Sequence, residues 1–275
     1  MRRRFHLPAA AVLMVCGWLS VGLLFAGGAA QPRAMGSSPP ESHVVAPKPQ
    51  YAFRNQKLVY SVQWRFLNAG TSTVEIQHAD SGARVLASAD SAGMPDKIFK
   101  VHDLFTASLD TATFCTRHVE KHNHEGKKQY EETVALDYPH GKSRVDVKDV
   151  KTAETRHSEF DIPSCVTDVI SGFFYVASLP LAPGYSEIFP VNDNGKTTDV
   201  EVKVESRERI KSPLGQFDTL RVKAEPLSGP MKGKGVLWVW FSDDGRRVPV
   251  QMKSKLGFAT LLFQLQQISP QLDPR

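Results

Sequence analysis

The sequence predicts a mainly β protein: a large curved antiparallel sheet, or a partly open β-barrel or sandwich, of about ten strands packed around one long helix. Two observations lead to this prediction. Short segments with alternating apolar and polar residues, separated by turn-forming residues, recur through most of the chain. In contrast, residues 163–180 place apolar residues at helical spacing. A helix this apolar must be covered, and only sheets are available to cover it.

The N-terminus has the three parts of a secretory signal peptide, predicted over residues 1–30. Arg2, Arg3 and Arg4 precede an apolar run over residues 7–25, and small residues around Ala30 permit cleavage. The protein is therefore expected to be periplasmic or otherwise exported. The apolar run is also long enough to span a bilayer, so an inner-membrane anchor formed by residues 7–25 is the alternative.

The rest of the chain divides into three predicted parts. Residues 31–50 contain five prolines among Ser, Gly and Gln without periodicity, which is typical of a disordered linker. Residues 51–268 form a single β-rich domain, and residues 269–275 form a tail.

The charge balance argues against nucleic acid as a partner. The formal net charge is +5, but three of the 34 basic residues lie in the leader, so the remainder carries 31 basic against 29 acidic residues and a net charge of +2. Beyond the leader, no stretch is long and apolar enough to span a bilayer. Contact with the membrane is therefore expected only through an uncleaved N-terminal segment.

The first half of the domain is predicted to form strands. Alternation over Leu58–Phe66, Ser72–His78 and Val85–Ala89 predicts a meander. Periodicity does not decide residues 94–109, which fit a short helical turn entering a strand. Further strands are predicted at residues 114–121 and 129–138, followed by a polar, edge-like strand at 144–148.

The predicted long helix follows. Its apolar face is formed by Val166, Val169, Ile170, Phe173, Phe174 and Ala177. Ser164 is its expected N-cap, and Pro180 ends it because proline cannot continue the hydrogen-bond ladder.

Strands resume after the helix. Alternating or continuous apolar residues predict them at residues 200–205, 217–222, 236–241, 248–252 and 259–265. The segment Asp243-Asp244-Gly245-Arg246 predicts a tight hairpin turn, since Asp-Gly supplies the positive φ that such turns require.

Two cysteines remain once Cys16 is removed with the leader. Cys115 and Cys165 form an even pair in a chain bound for an oxidising compartment, so we expect a disulfide that ties a strand to the start of the helix. Two buried free thiols are the alternative.

Candidate catalytic or metal-binding residues are few. His118, His122 and His124 share one face of a strand and could converge on Zn²⁺ or Cu²⁺, although such a charged face is usually only solvated. His102 and Asp103 are adjacent titratable residues among apolar ones. No known catalytic motif is complete, so the sequence favours a protein without enzymatic activity, and it predicts no cofactor.

Several stretches together resemble the bacterial domain-of-unknown-function family numbered 3108. They are Leu58-x-Tyr60-x-Val62-x-Trp64, residues 96–103, residues 168–175, residues 212–218, and residues 232–250 with Trp240-x-Ser242-Asp243-Asp244. The resemblance covers about residues 54–266 and implies an exported, β-rich envelope protein without an established reaction. A looser architectural similarity is to envelope lipoprotein carriers, whose curved sheet wraps a helix and holds acyl chains.

These observations lead to one main functional expectation and its alternatives. We expect a non-enzymatic binding or assembly protein for an apolar or amphipathic envelope component, such as a lipid. The aromatic residues expected to hold the ligand are Trp64, Phe173, Phe174, Tyr175, Trp238 and Trp240, unless they simply fill the core. The alternative is an envelope hydrolase that uses His102 and Asp103, or a metal site at His118, His122 and His124.

Overall fold

The computed structural model describes residues 55–270, except residues 66, 80, 81, 230, 231 and 258. The predicted leader, the predicted linker and residues 271–275 lie outside the described residues. The three helical elements are α1 (Gly93–Ile98), a 3₁₀ turn (Tyr138–His140) and α2 (Ser171–Ser178). The strands are β1 (Gln56–Trp64), β2 (Leu67–Ala79), β3 (Gly82–Ser91), β4 (Val101–Leu109), β5 (Thr116–Glu125), β6 (Lys128–Asp137), β7 (Lys142–Asp149), β8 (Thr155–Asp161), β9 (Thr167–Asp168), β10 (Ser186–Asp193), β11 (Lys196–Ser212), β12 (Gly215–Pro226), β13 (Gly235–Ser242), β14 (Pro249–Leu256) and β15 (Ala259–Pro270).

All fifteen of these strands belong to one open sheet. Their order is β8 to β1, then β15 down to β9, so β1 and β15 pair at the centre and β8 and β9 are the edges. Neighbours are antiparallel except for β9 and β10, which are parallel. The sheet therefore consists of two meanders joined by the antiparallel pair of the first and last strands.

The sheet curls until its two halves meet, although its hydrogen-bond ladder does not close. The Ser143 hydroxyl on β7 donates a hydrogen bond of 2.6 Å to the carbonyl of Gly195, in the turn between β10 and β11. Asn194 and Gly195 both have positive φ, as a tight hairpin turn requires. A Cβ at position 195 would collide with the Val145 side chain, so only glycine allows this turn to lie so close to β7.

The helix α2 lies inside the curl and is much shorter than predicted. Seven of its eight residues are buried, all except Phe173, so it is a core helix rather than an amphipathic one. The ring of Tyr175 is fully buried, 5.7 Å from that of Phe114 and 4.7 Å from that of Phe189. Among the described residues, no helix has the length and apolarity needed to cross a membrane.

The prediction of a helix over residues 163–180 was wrong for its first half. Residues 163–170 are extended or turning and include β9, and Ser164 caps nothing. Val166, Thr167, Val169 and Ile170 are β-branched, which favours extended backbone. The Asp168 carboxylate instead accepts hydrogen bonds from the N–H groups of Ile170 and Ser171, at 2.9 and 2.8 Å, and so starts the helix.

The predicted mainly β class is confirmed, but the count of about ten strands was too low. β8, β9 and β10 were not predicted. Residues 144–148, predicted as an edge, lie in β7, which β8 covers. The open question over residues 94–109 resolves into α1 followed by β4. β13 and β14 form the predicted hairpin, but the connection over residues 243–248 is longer than the tight turn predicted at Asp243 to Arg246, and Arg247 rather than Gly245 has positive φ.

The predicted disulfide is confirmed. Cys115 and Cys165 are bonded, with Cα atoms 5.1 Å apart. The bridge joins the start of β5 to the segment that leads into β9, which places the two halves of the sheet side by side.

We expect reduction of this bridge to lower the melting temperature of the mature protein. The cysteines are 50 residues apart, and the chain entropy of such a loop in the unfolded state is worth up to about 4 kcal/mol. Calorimetry with and without reductant measures the shift, and a Cys115→Ser/Cys165→Ser double variant, which reductant should not affect, is the control. Two reactive thiols in the denatured, unreduced protein would contradict the bridge.

Candidate functional site

An apolar groove lies between α2 and the inner faces of β10 to β13. It has a volume of about 90 Å³. Its walls are formed by Phe173 and Val176 of the helix and by strand residues that include Phe189, Val222, Ala224 and Val239. Alternate residues of β12 and β13 point inward, which gives the groove its apolar surface.

A larger polar cavity adjoins this groove. It has a volume of about 640 Å³ and lies where β5 to β8 approach the turn between β10 and β11. The groove and the cavity share Asp193, Lys196, Thr198 and Ser228. The polar cavity is within the size range of small-molecule sites, roughly 300–1,000 Å³, whereas the groove has room for only part of a ligand.

A buried ion cluster lies at the inner end of the polar cavity. The Lys121 ammonium lies 2.6 Å from Asp193 Oδ1, 2.6 Å from Asn194 Oδ1 and 3.1 Å from Glu132 Oε1. Burial alone would lower the pKa of Lys121, but the carboxylates of Asp193 and Glu132 outweigh it, so this pKa is raised and the ammonium stays charged. Burial also raises the pKa of Glu132, and Lys121 offsets part of that rise.

Two further carboxyl groups lie on the same inner surface, and no cation among the described residues is bonded to them. Burial raises the pKa of Asp103 to about 7, against the effect of the His124 N–H, which donates to Asp103 Oδ1 at 2.9 Å. Burial likewise raises the pKa of Glu125 to about 7, against the attraction of Lys128. Both side chains are therefore near half ionisation at neutral pH.

The predicted dyad of His102 and Asp103 does not form. Successive side chains of a strand point to opposite faces, so Asp103 lies inside the curl while His102 lies outside. The His102 imidazole is hydrogen-bonded to Asp90 instead. The hypothesis of a catalytic pair at these two residues was wrong.

The three histidines proposed to bind a metal share one face of β5 but do not converge on a common point. His118, His122 and His124 lie on the outer face of β5, where they contact Glu120, Glu131 and Gln129 respectively. Within the part of the chain that is described, no group of three His, Cys, Asp or Glu residues could hold a metal ion.

Of the six aromatic residues proposed to hold a ligand, Phe173 lines the apolar groove. Phe174 and Tyr175 are buried in the core. Trp64 packs against the edge of the core, with the Arg65 guanidinium 5.2 Å from its ring. Trp238 and Trp240 lie on the face of β13 opposite the groove, and Arg221 stacks over both rings.

Sequence reasoning missed the polar residues of the inner surface. Val119, Lys121, Asn123 and Glu125 alternate along β5 and are all buried, yet three of them are polar. The opposite face of β5 is also polar, so alternation gives no sign of which face is inside. The apolar inner residues of the paired strands β4 and β6 are the signal that could have decided it.

Substitution of Lys121 by Met should destabilise the protein by about 3–5 kcal/mol, because it leaves buried carboxylates without their cation. Chemical denaturation of the wild type and of Lys121→Met measures the change. Lys142→Met is the matched control, since Lys142 forms an exposed ion pair with Asp161 and should change stability little. Equal effects of the two substitutions would contradict this account of the ion cluster.

Stability should fall as the pH rises from about 4 to 7. Asp103 and Glu125 bind protons in the folded protein up to about pH 7, whereas they release them near pH 4 when unfolded, so the folded state loses this advantage as the pH increases. Each of the two groups should account for on the order of 3 kcal/mol. Urea unfolding across this range measures the slope.

The variant Asp103→Asn keeps an acceptor for the His124 N–H and should flatten this pH dependence by about half. Asp146→Asn, at an exposed side chain on β7, should leave the slope as it is in the wild type. A slope that is the same in all three proteins would show that Asp103 ionises normally.

Comparison with known proteins supports the fold. The chain is similar to the crystal structure of a "Beta-barrel-like Protein" of the domain of unknown function DUF1849 from Brucella abortus. The sequence identity is 8%, the TM-score is 0.59, and the match covers 81% of this chain and 100% of that chain. At this identity the likeness concerns the fold alone.

Two other solved structures match at lower TM-scores. One, from Parabacteroides distasonis, is provisionally described as a lipoprotein, with 11% identity, a TM-score of 0.30 and coverage of 83% of this chain and 99% of that chain. The other, from Bacteroides fragilis, is provisionally described as an exported protein with a YmcC-like fold, with 10% identity, a TM-score of 0.31 and coverage of 80% and 97%. No match was found among curated proteins.

The family described as "Protein of unknown function (DUF3108)" matches residues 59–266. This match runs from β1 to β15 and includes every residue of the groove and of the polar cavity. The chain therefore belongs to the DUF3108 family.

Proposed function

We propose that this protein binds an amphipathic component of the cell envelope without transforming it. One observation carries the proposal: an apolar groove opens into a larger polar cavity, and the two share Asp193, Lys196, Thr198 and Ser228. A ligand with an apolar and a polar part would match this arrangement, because each part finds a surface of its own kind.

The apolar part of the ligand would lie against α2. Phe173 is the one half-buried residue of that helix, and it faces the groove beside Val176. The opposite wall is formed by Val222 and Ala224 of β12. Removal of apolar surface from water on both sides of the ligand would supply most of the binding free energy.

The proposed location follows from the leader. A signal peptide over residues 1–30 would deliver the domain to the periplasm or beyond, where such a ligand occurs. An anchor formed by residues 7–25 would hold the domain at the inner membrane, with residues 31–50 as a spacer. Both arrangements give the groove access to envelope components.

The proposal is tested with the neutral apolar fluorophore N-phenyl-1-naphthylamine and the mature protein after extraction with organic solvent. We expect saturable binding by the wild type. Ala224→Phe should weaken it at least about tenfold, because the added ring would occupy the groove volume of about 90 Å³ that the probe needs. Ala112→Phe, at an exposed turn residue, is the matched control and should bind as the wild type does.

Mass spectrometry of the organic extract shows whether an amphipathic molecule copurifies. The proposal fails if the wild type binds no probe and carries no such molecule. It also fails if Ala224→Phe retains its disulfide and melting temperature and binds the probe as tightly as the wild type.

A further inference from the structure

Three residues that line the polar cavity each carry a buried oxygen atom that lacks a hydrogen-bond donor among the described residues. Glu132 Oε1 is one of these atoms, but it lies 3.1 Å from the Lys121 ammonium and so has an ionic partner. The other two are Asp193 Oδ2 and Glu125 Oε1. Asp193 is 6% exposed and Glu125 is 5% exposed, and both side chains line the cavity. Buried acceptors are normally paired, so these two indicate that the cavity receives a group that can donate hydrogen bonds.

The Lys121 ammonium cannot donate a hydrogen bond to these two oxygen atoms. Lys121 has three N–H groups, and three oxygen atoms already surround them, from Asp193, Asn194 and Glu132. All three N–H groups of Lys121 therefore have partners, whereas Glu125 Oε1 and Asp193 Oδ2 have no donor among the described residues.

The charges that line the cavity are of both signs. Glu125, Glu132, Asp149, Glu154 and Asp193 are acidic, and Lys128, Arg156 and Lys196 are basic. An ion of either sign would therefore meet like charges as well as opposite ones, which reduces its attraction to the site.

A neutral hydroxyl group fits both sets of residues. It donates one hydrogen bond, which Glu125 and Asp193 need, and it accepts others, which Lys128, Arg156 and Lys196 can donate. Tyr130 also lines the cavity and offers aromatic surface to the C–H face of a sugar ring, whereas the Phe160 ring already has the Lys196 ammonium 5.2 Å from its centroid.

We infer that the polar cavity binds a neutral saccharide group, with Glu125 and Asp193 accepting hydrogen bonds from its hydroxyls. The inference rests on the proposed function, since the saccharide would be the polar part of the amphipathic ligand. The ligand class is thus a glycolipid, whose apolar part occupies the groove beside Phe173.

The test compares four ligands by calorimetry below their micelle concentrations: octyl β-D-glucoside, octyl phosphate, octylammonium and methyl β-D-glucoside. We expect octyl glucoside to bind at least about tenfold more tightly than the other three, since it alone satisfies the cavity and fills the groove. Tighter binding of the phosphate or of the ammonium overturns the saccharide assignment and leaves the proposed amphipathic ligand standing. Equal binding of methyl glucoside overturns the amphipathic ligand and leaves the saccharide site standing.

The variant Glu125→Met tests the role of the buried acceptor. It should weaken octyl glucoside binding about tenfold, leave binding of N-phenyl-1-naphthylamine unchanged, and leave the melting temperature equal or higher, because it removes a buried carboxylate without a donor. Glu201→Met, on a residue outside both cavities, is the matched control. Unchanged binding of octyl glucoside by a folded Glu125→Met overturns the inference, and loss of the fluorophore as well would place Glu125 in the support of the whole fold.

Discussion

The hydrogen bonds between Thr116 and Asp168 are the contact on which the arrangement of the molecule depends. The Thr116 hydroxyl donates to Asp168 Oδ2 at 2.7 Å and accepts from the Asp168 N–H at 2.8 Å. The Thr116 N–H also donates to the carbonyl of Val166 at 2.9 Å. These bonds join β5 in one half of the sheet to β9 in the other, and the disulfide one residue before Thr116 adds a covalent link. Asp168 then starts α2, so one side chain sets both the curl of the sheet and the position of the helix inside it.

The sheet remains open because the surfaces that would have to close it are polar. Along the edge strand β8, six of seven residues are exposed, and Phe160 alone is partly buried. Such a strand discourages further pairing and cannot pack tightly against the apolar inner surface of β10 and β11. The gap left between β8 and the β10–β11 turn is the polar cavity. The same feature that prevents closure of the ladder therefore creates the candidate site.

Much of the fold could be predicted from the sequence, since the alternation of Leu58, Tyr60 and Val62 has a direct physical cause in a strand with one buried face. The disulfide followed from the number of cysteines and from the predicted export. The helix could not be delimited, because Val166 to Ile170 fit a helical stripe as well as they fit extended backbone, and the tertiary contacts of Asp168 decided between them. The site was harder still. Its groove is lined by small apolar residues such as Val222 and Ala224, which look like any core, and the aromatic residues that attract attention lie mostly elsewhere.

The buried polar residues explain why a protein with an ample apolar core keeps such an inner surface. The contacts of Lys121 with Glu132 and Asp193 fix the distance between β5 and the β10–β11 turn at the cost of desolvating charges. Glu125 Oε1 and Asp193 Oδ2, in contrast, have no donor among the described residues, and each unpaired buried oxygen lowers stability. Buried acceptors that lower stability in this way are those that a ligand would be expected to satisfy. Since both lie beside the gap where the ladder fails to close, the unpaired oxygens and the open edge belong to one feature of the molecule.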